Sequence, residues 1–248
     1  IGMGINMDLD FVYFSNLKKF DGKKLRKLNL SEIGQVAGRA GRYLNDGNFG
    51  ITGQCKEINA EEVDLLENHK FENIQNLFWR NSDLDFNNPL SLIRSLDKKP
   101  LYGWLRKIHE CEDEKALKFF LRDKSFENIN FNKEKLSLLW ECCQIPDFVK
   151  KTYGNHYDVI RNVFNYLNSQ NGKISDDFMH LQLMKLNKLE GNVDSLSNRI
   201  ANVRTWSYVS NKNNWVENQL YLLEKTKLLE DKLSDRLHEE LTKTFIDK

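Results

Sequence analysis

Along the last stretch of the chain Leu229, Leu233, Leu237, Leu241 and Phe245 recur every four residues, which lines one face of a helix. Lys232, Asp235, Arg236, Glu239 and Lys243 fill the remaining positions. The spacing stays at four instead of alternating four and three, so the stripe predicts core or interdomain packing rather than a coiled-coil dimer. Apolar periodicity predicts further helices at 90–96, 100–110, 113–122, 133–144, 155–170, 176–188 and 193–209. NAEEVDLLEN opens another, with Asn59 as N-cap and Glu62 three positions on as its capping-box partner. Pro89, Pro100 and Pro146 all stand at boundaries of these segments.

The beginning of the chain has a different texture. DFVYFS (10–15) reads as a short buried strand, and FGITG (49–53), after the turn signal NDG (45–47), as another. Between them lie a basic run and a glycine-rich helix whose N-terminus Ser31 can cap. Strand, loop, helix, strand is the order of an α/β domain with a parallel sheet. The expected architecture is an α/β remnant over 1–56 followed by a mainly α-helical region, a helical domain at 57–145 and a C-terminal helical domain at 146–248.

The glycine-rich helix contains QVAGRAGR (35–42). Each glycine inside a helix costs roughly 1 kcal/mol relative to alanine, so Gly34, Gly38 and Gly41 make this a poor helix unless a close neighbour requires them. On a helix Gln35, Arg39 and Arg42 share a face. Two guanidiniums beside an amide form a receptor for phosphate oxygens. A surface helix packed tightly on the sheet explains the small residues but not that alignment.

The charge balance narrows the partners. With 37 Lys and Arg against 36 Asp and Glu the net charge is +1, which excludes a uniformly basic surface as the means of binding nucleic acid. Local basic patches stay open: KKFDGKKLRK (18–27) holds six cations against one Asp, as a patch or as a solvated loop. NRIANVRTWSYVSNKNNW (198–215) interleaves Arg199, Arg204 and Lys212 with Trp206, Tyr208 and Trp215. Such interleaving can grip single-stranded RNA, while Ile200, Val203 and Trp206 fall at the spacing of core positions. Cys55, Cys111, Cys142 and Cys143 form no CxxC pair, so no metal site is expected and reduced thiols point to an intracellular compartment. The scattered histidines have no acid/base partner in the sequence, and HECEDE (109–114) reads as a helix end running into an acidic loop. No apolar stretch approaches the ~20 residues of a membrane span.

QVAGRAGR resembles motif VI of superfamily-two helicases, QxxGRxGR, at Gln35, Gly38, Arg39, Gly41 and Arg42. IGMGINM (1–7) resembles motif V, which precedes motif VI in the second RecA-like domain of that family. LWECCQIPDF, NRIANVRTWSYVSNKNNW and LEDKLSDRLHEELTKTFID extend the likeness toward the mitochondrial degradosome RNA helicases and their bacterial relatives. The resemblance implies that Arg42 and Arg39 are catalytic, reaching the ATP γ-phosphate as arginine fingers do. It places Gln35, Gly38, Arg39 and Arg42 in the ATP-binding network, and Gly4 and Asn6 against the nucleic-acid backbone; Arg204 and Lys212 are the candidate RNA contacts of the helical region.

The sequence holds neither a GxxxxGK[ST] phosphate loop nor a DExH/D box, and it starts within apolar, glycine-rich sequence. The expectation is therefore the C-terminal part of an ATP-dependent RNA helicase, inactive alone, using ATP and Mg2+ when whole. RNA is the implied partner, with a 3′-to-5′ exoribonuclease such as polynucleotide phosphorylase as a further one and no membrane. The chain's end at FIDK favours a bacterial cytoplasm over the mitochondrial matrix. A non-catalytic helicase-derived scaffold and a DNA helicase are the alternatives.

Overall fold

A short aromatic and β-branched run that takes up extended backbone needs a neighbour for its N–H and C=O groups. Phe11–Phe14 (β1) finds that neighbour in Asn48–Ile51 (β4), with which it pairs in parallel, Phe11 opposite Asn48 and Phe14 opposite Ile51. A computed structural model describes residues 9–21, 24–41, 45–150 and 153–245. The chain forms two compact units, Ile1–Gln75 and Asn76–Lys248.

In the first unit the β1–β4 connection contains two short strands, Lys18–Phe20 (β2) and Leu25–Lys27 (β3), and the helix Leu30–Ala37 (α1). The basic run expected as a loop or patch is thus an antiparallel hairpin, Lys18 facing Lys27 and Phe20 facing Leu25. Helix Ala60–Glu67 (α2) follows β4, capped by Asn59 and Glu62 as the sequence predicts. Phe14, Leu17, Ile33, Ala37 and Leu66 form the core. The expectation of a buried first strand is corrected: Phe11 and Tyr13 are 57% and 62% exposed. Among the described residues β1 pairs only with β4, and its outward rings, Phe11 and Tyr13, stack on each other at 6.3 Å and stay open to solvent.

The second unit begins with Leu77–Trp79 (β5), helix Pro89–Leu96 (α3) and Leu105–Lys107 (β6). β5 and β6 pair in parallel. The helix expected at 100–110 does not form: Pro100 and Gly103 interrupt it, and β5 offers Leu105–Lys107 a ladder instead. Helices Glu112–Phe120 (α4), Lys133–Cys143 (α5), Tyr153–Leu167 (α6), Asp176–Leu186 (α7), Val193–Asn211 (α8) and Gln219–Phe245 (α9) complete the unit.

One apolar core runs through these helices, from Leu92 and Leu96 through Phe120, Leu139 and Phe164 to Leu196, Val203 and Leu233. The leucine stripe of α9 takes part in it, with Leu229 and Leu233 buried and Leu237 packed against their cluster. Cys142 and Cys143 are buried at the end of α5, as a helix end holding a CC pair suggests.

Candidate functional site

The N-terminus of α1 is built more firmly than its sequence suggests. Asn29, not Ser31, is the cap: its Oδ1 accepts the Glu32 N–H at 3.0 Å, while the Asn29 N–H donates to Glu32 Oε2 at 3.0 Å. Ser31 lies one position inside the helix and donates its hydroxyl to Asn29 Oδ1 at 3.1 Å. The sequence carries this signal as NLSE, an Asn followed three residues later by Glu.

Glu32 also receives the cations of the hairpin. Arg26 donates to it through Nη1 at 2.7 Å and Nη2 at 2.8 Å, and Lys19 bonds Oε1. The Arg26 guanidinium, with Lys19, holds the Glu32 carboxyl well below the usual carboxylate range. Lys27 pairs with Glu62 at 2.8 Å and lowers that carboxyl in turn. Lys19, Arg26 and Lys27 therefore clamp the capping residues of α1 and α2, and the basic run is partly spent inside its own unit.

The other end of α1 carries the motif. The helix stops at Ala37 with Gly38 as cap, whose N–H donates to Gly34 O at 2.8 Å. The expectation that Gln35 and Arg39 share a helical face is corrected accordingly, since the helix ends before Arg39. Gln35 is exposed on the last turn, and half-buried Arg39 sits in the turn beyond it, its N–H donating to Val36 O at 3.1 Å.

From there the chain leaves the helix to meet the strand side: Ala40 bridges Leu9, and the Gly41 N–H donates to Leu9 O at 2.7 Å. Gly41 has φ +75°, and a Cβ there would lie 2.4 Å from Asn45 O. It is glycine because the turn needs left-handed backbone in tight quarters. A helix C-terminus is the negative end of its dipole, so any phosphate near this turn must be held by guanidinium groups rather than by the helix. Arg42, Gly4 and Asn6 lie outside the described residues.

In the second unit, Arg204 and Lys212 are engaged within the chain. Arg204 Nε donates to Glu230 Oε1 at 2.7 Å, tying α8 to α9. Lys212 Nζ stands over the rings of Tyr208 and Trp215, 5.2 and 5.7 Å from their centroids. Ile200, Val203, Trp206 and Trp215 are buried, the core arrangement that their spacing admits. Arg199 braces the loop before α8 by donating to Lys188 O. Among the described residues no group of three or more His, Cys, Asp or Glu could hold a metal ion, and no helix is long and apolar enough to cross a membrane.

An α/β unit with an arginine-bearing glycine turn, followed by a helical unit, is compatible with a piece of a helicase, and the comparisons point to the same class. The chain is 44% identical over 66 residues to the DExH-box ATP-dependent RNA helicase DExH16, mitochondrial, of Arabidopsis thaliana, a match covering 27% of this chain and 11% of the relative. It is equally similar to the ATP-dependent RNA helicase SUV3, mitochondrial, of Oryza sativa subsp. japonica. To SUV3 of Candida albicans it is 46% identical over 43 residues, 17% of this chain and 6% of the relative. No family model matches. The resemblance to the C-terminal part of superfamily-two RNA helicases is thereby borne out, although the chain spans about a tenth of the length of the relatives it matches. The expectation of a bacterial cytoplasm is overturned: these relatives are named mitochondrial.

Proposed function

We infer that the chain is the C-terminal part of an ATP-dependent RNA helicase, comprising the end of its second RecA-like domain and a helical appendage. The observation that carries this reading is the partial identity to named ATP-dependent RNA helicases, together with a QVAGRAGR sequence in which Gly38–Gly41 turn the chain at the end of α1. The turn places Arg39 just beyond the helix end.

In the whole protein, ATP is the substrate, accompanied by Mg2+. Gln35, Gly38, Arg39 and Arg42 face it, and Arg42 and Arg39 stabilise charge on the γ-phosphoryl group. Gly4 and Asn6 approach the RNA backbone. The chain alone, without phosphate loop or acidic box, binds ATP weakly and does not hydrolyse it. The relatives named mitochondrial favour a mitochondrial setting, and the motif resemblance implies a role in RNA turnover with a 3′-to-5′ exoribonuclease as partner.

The test is ATP hydrolysis by the upstream-extended protein, with and without single-stranded RNA, beside Arg42→Ala. RNA-stimulated turnover that falls about 10³-fold or more in the variant is the expected result, the scale of an arginine finger. Absence of turnover in the wild type, with RNA still bound, replaces the helicase with a non-catalytic scaffold.

A further inference from the structure

The second unit carries an exposed aromatic surface that the reading above does not use. In the β5–β6 register Phe78 stands opposite Arg106, and directly opposed residues share a face of the sheet. Tyr102 and Trp104 stand in the turn that leads into β6, where the Trp104 carbonyl accepts the N–H of Leu77, the residue before Phe78, at 3.0 Å. Phe78 is 80% exposed, Tyr102 61% and Trp104 52%. The rings of Tyr102 and Trp104 lie nearly parallel, 17° apart with centroids separated by 5.6 Å. Rings stacked on one another yet open to water offer flat faces to a partner that is itself flat.

The charges around them narrow the partner. KKPLYGWLRK (98–107) contains four cations and no acid. Lys107 is paired with Asp97 at 2.9 Å. Lys98, Lys99 and Arg106 are exposed, and no carboxylate pairs with them among the described residues. A protein segment that covered the rings for their apolar area alone would leave these cations unmatched. A strand with flat bases and a charged backbone answers both features.

We propose that Phe78, Tyr102, Trp104 and Arg106, with Lys98 and Lys99, form a stacking platform for single-stranded RNA. Bases lie on the rings and phosphates meet the cations. The choice of RNA over DNA rests on the helicase reading; the stacking itself accepts any single strand. The sequence signal is the same interleaving of cations and aromatics seen at 198–215, but here the rings are open to solvent while Trp206 and Trp215 are buried.

The test is fluorescence anisotropy of the 248-residue chain with labelled oligouridine over a range of salt. The double variant Tyr102→Ala/Trp104→Ala is expected to weaken binding by about tenfold or more, with Trp104→Phe retaining most of the affinity. Arg106→Ala is expected to flatten the salt dependence. Because the rings are exposed, melting temperatures should stay near wild type. Equal affinity in wild type and double variant puts the RNA elsewhere and ends the platform, while leaving the helicase reading intact. No binding by the wild-type chain also ends it, and the helicase reading then stands or falls on RNA-stimulated ATP hydrolysis. In the upstream-extended protein, shielding of Trp104 from acrylamide without RNA, read as wild type minus Trp104→Phe, would mean that protein covers this surface and would overturn the proposal.

Discussion

The ring of Phe71 occupies the space that a side chain on Gly34 would need: Cζ lies 2.7 Å and Cε1 3.0 Å from the position of a Cβ there. Gly34 is inside α1, where alanine would be favoured by about 1 kcal/mol. The residue is small because Phe71 and Leu66 come down on it. The free end of a ring that is 36% exposed can swing aside at some loss of contact. Gly34→Ala should therefore change stability little in the wild type, the helical gain offset by the displaced ring. On a Phe71→Ala background it should stabilise by about 1 kcal/mol. Urea denaturation of the four proteins measures the coupling, and an equal effect on both backgrounds would show that the ring does not restrain position 34.

Glu32 joins the hairpin to the helix, and its charge is what the joint uses. Glu32→Gln keeps the reciprocal cap, since Gln serves at that position, and so isolates the ion pairs with Arg26 and Lys19. The folded-state carboxyl titrates well below its ordinary 4.5. The stability it contributes is thus present above that value and lost as the pH falls below it. Wild type should exceed Glu32→Gln in melting temperature at neutral pH, with the gap closing on acidification through the carboxylate range. Asn29→Ala, which removes the cap itself, should destabilise by about 1 kcal/mol with little pH dependence near neutrality. A gap for Glu32→Gln that persists unchanged in acid would assign its effect to packing.

Much of this architecture could be read from the amino acids because it follows from short-range rules. Asn59 and Glu62 announce their capping box in sequence, and the period-four leucines of α9 announce a buried stripe that Leu229 and Leu233 fulfil. What escaped depends on partners distant in sequence. Helical periodicity at 100–110 gave way to β6 because β5, more than twenty residues earlier, supplies a backbone ladder. The basic run became a hairpin because Glu32 and Glu62 wait beyond it to accept Lys19, Arg26 and Lys27. At the motif, residue identity was legible through resemblance, whereas the end of the helix at Ala37 depends on the pull of Leu9 upon Ala40 and Gly41. Arg204 and Lys212 show the converse: an RNA-like composition whose charges are engaged with Glu230 and with two aromatic rings.

The cysteines should separate by reactivity. Burial pushes the Cys142 and Cys143 thiols well up, and Cys142 is raised further by its neighbour Cys143. Since the thiolate is the reactive form, both should resist Ellman's reagent in the native protein. Half-buried Cys55 should label first, and Cys111, whose thiol is pushed up by burial, more slowly. Labelling of Cys142 and Cys143 should appear with the unfolding transition in urea. Their modification at native rates would mean that the end of α5 opens without global unfolding.

Arg80 carries a charge-dependent effect in the second unit. It donates to Asp113 through Nη1 at 2.8 Å and Nη2 at 3.0 Å, its Nε lies 3.3 Å from Glu114 Oε1, and its guanidinium stands 5.1 Å from the Trp140 ring centroid. Glu114 is only 2% exposed, and burial raises its carboxyl above the ordinary value although Arg80 opposes the rise. Removing the guanidinium leaves a carboxylate in the core without its counter-ion, so Arg80→Ala should destabilise by about 3 kcal/mol. With the folded-state value raised further, charging Glu114 disfavours the fold, and the penalty sets in as the pH rises through that value. The deficit of Arg80→Ala should therefore be greatest at neutral pH and shrink on acidification. Adding Glu114→Gln should recover part of it at pH 7, because a neutral amide needs no counter-ion. Urea unfolding of the single and double variants across pH checks both points, and a deficit independent of pH would assign the loss to the packing of Arg80 on Trp140 instead of to charge.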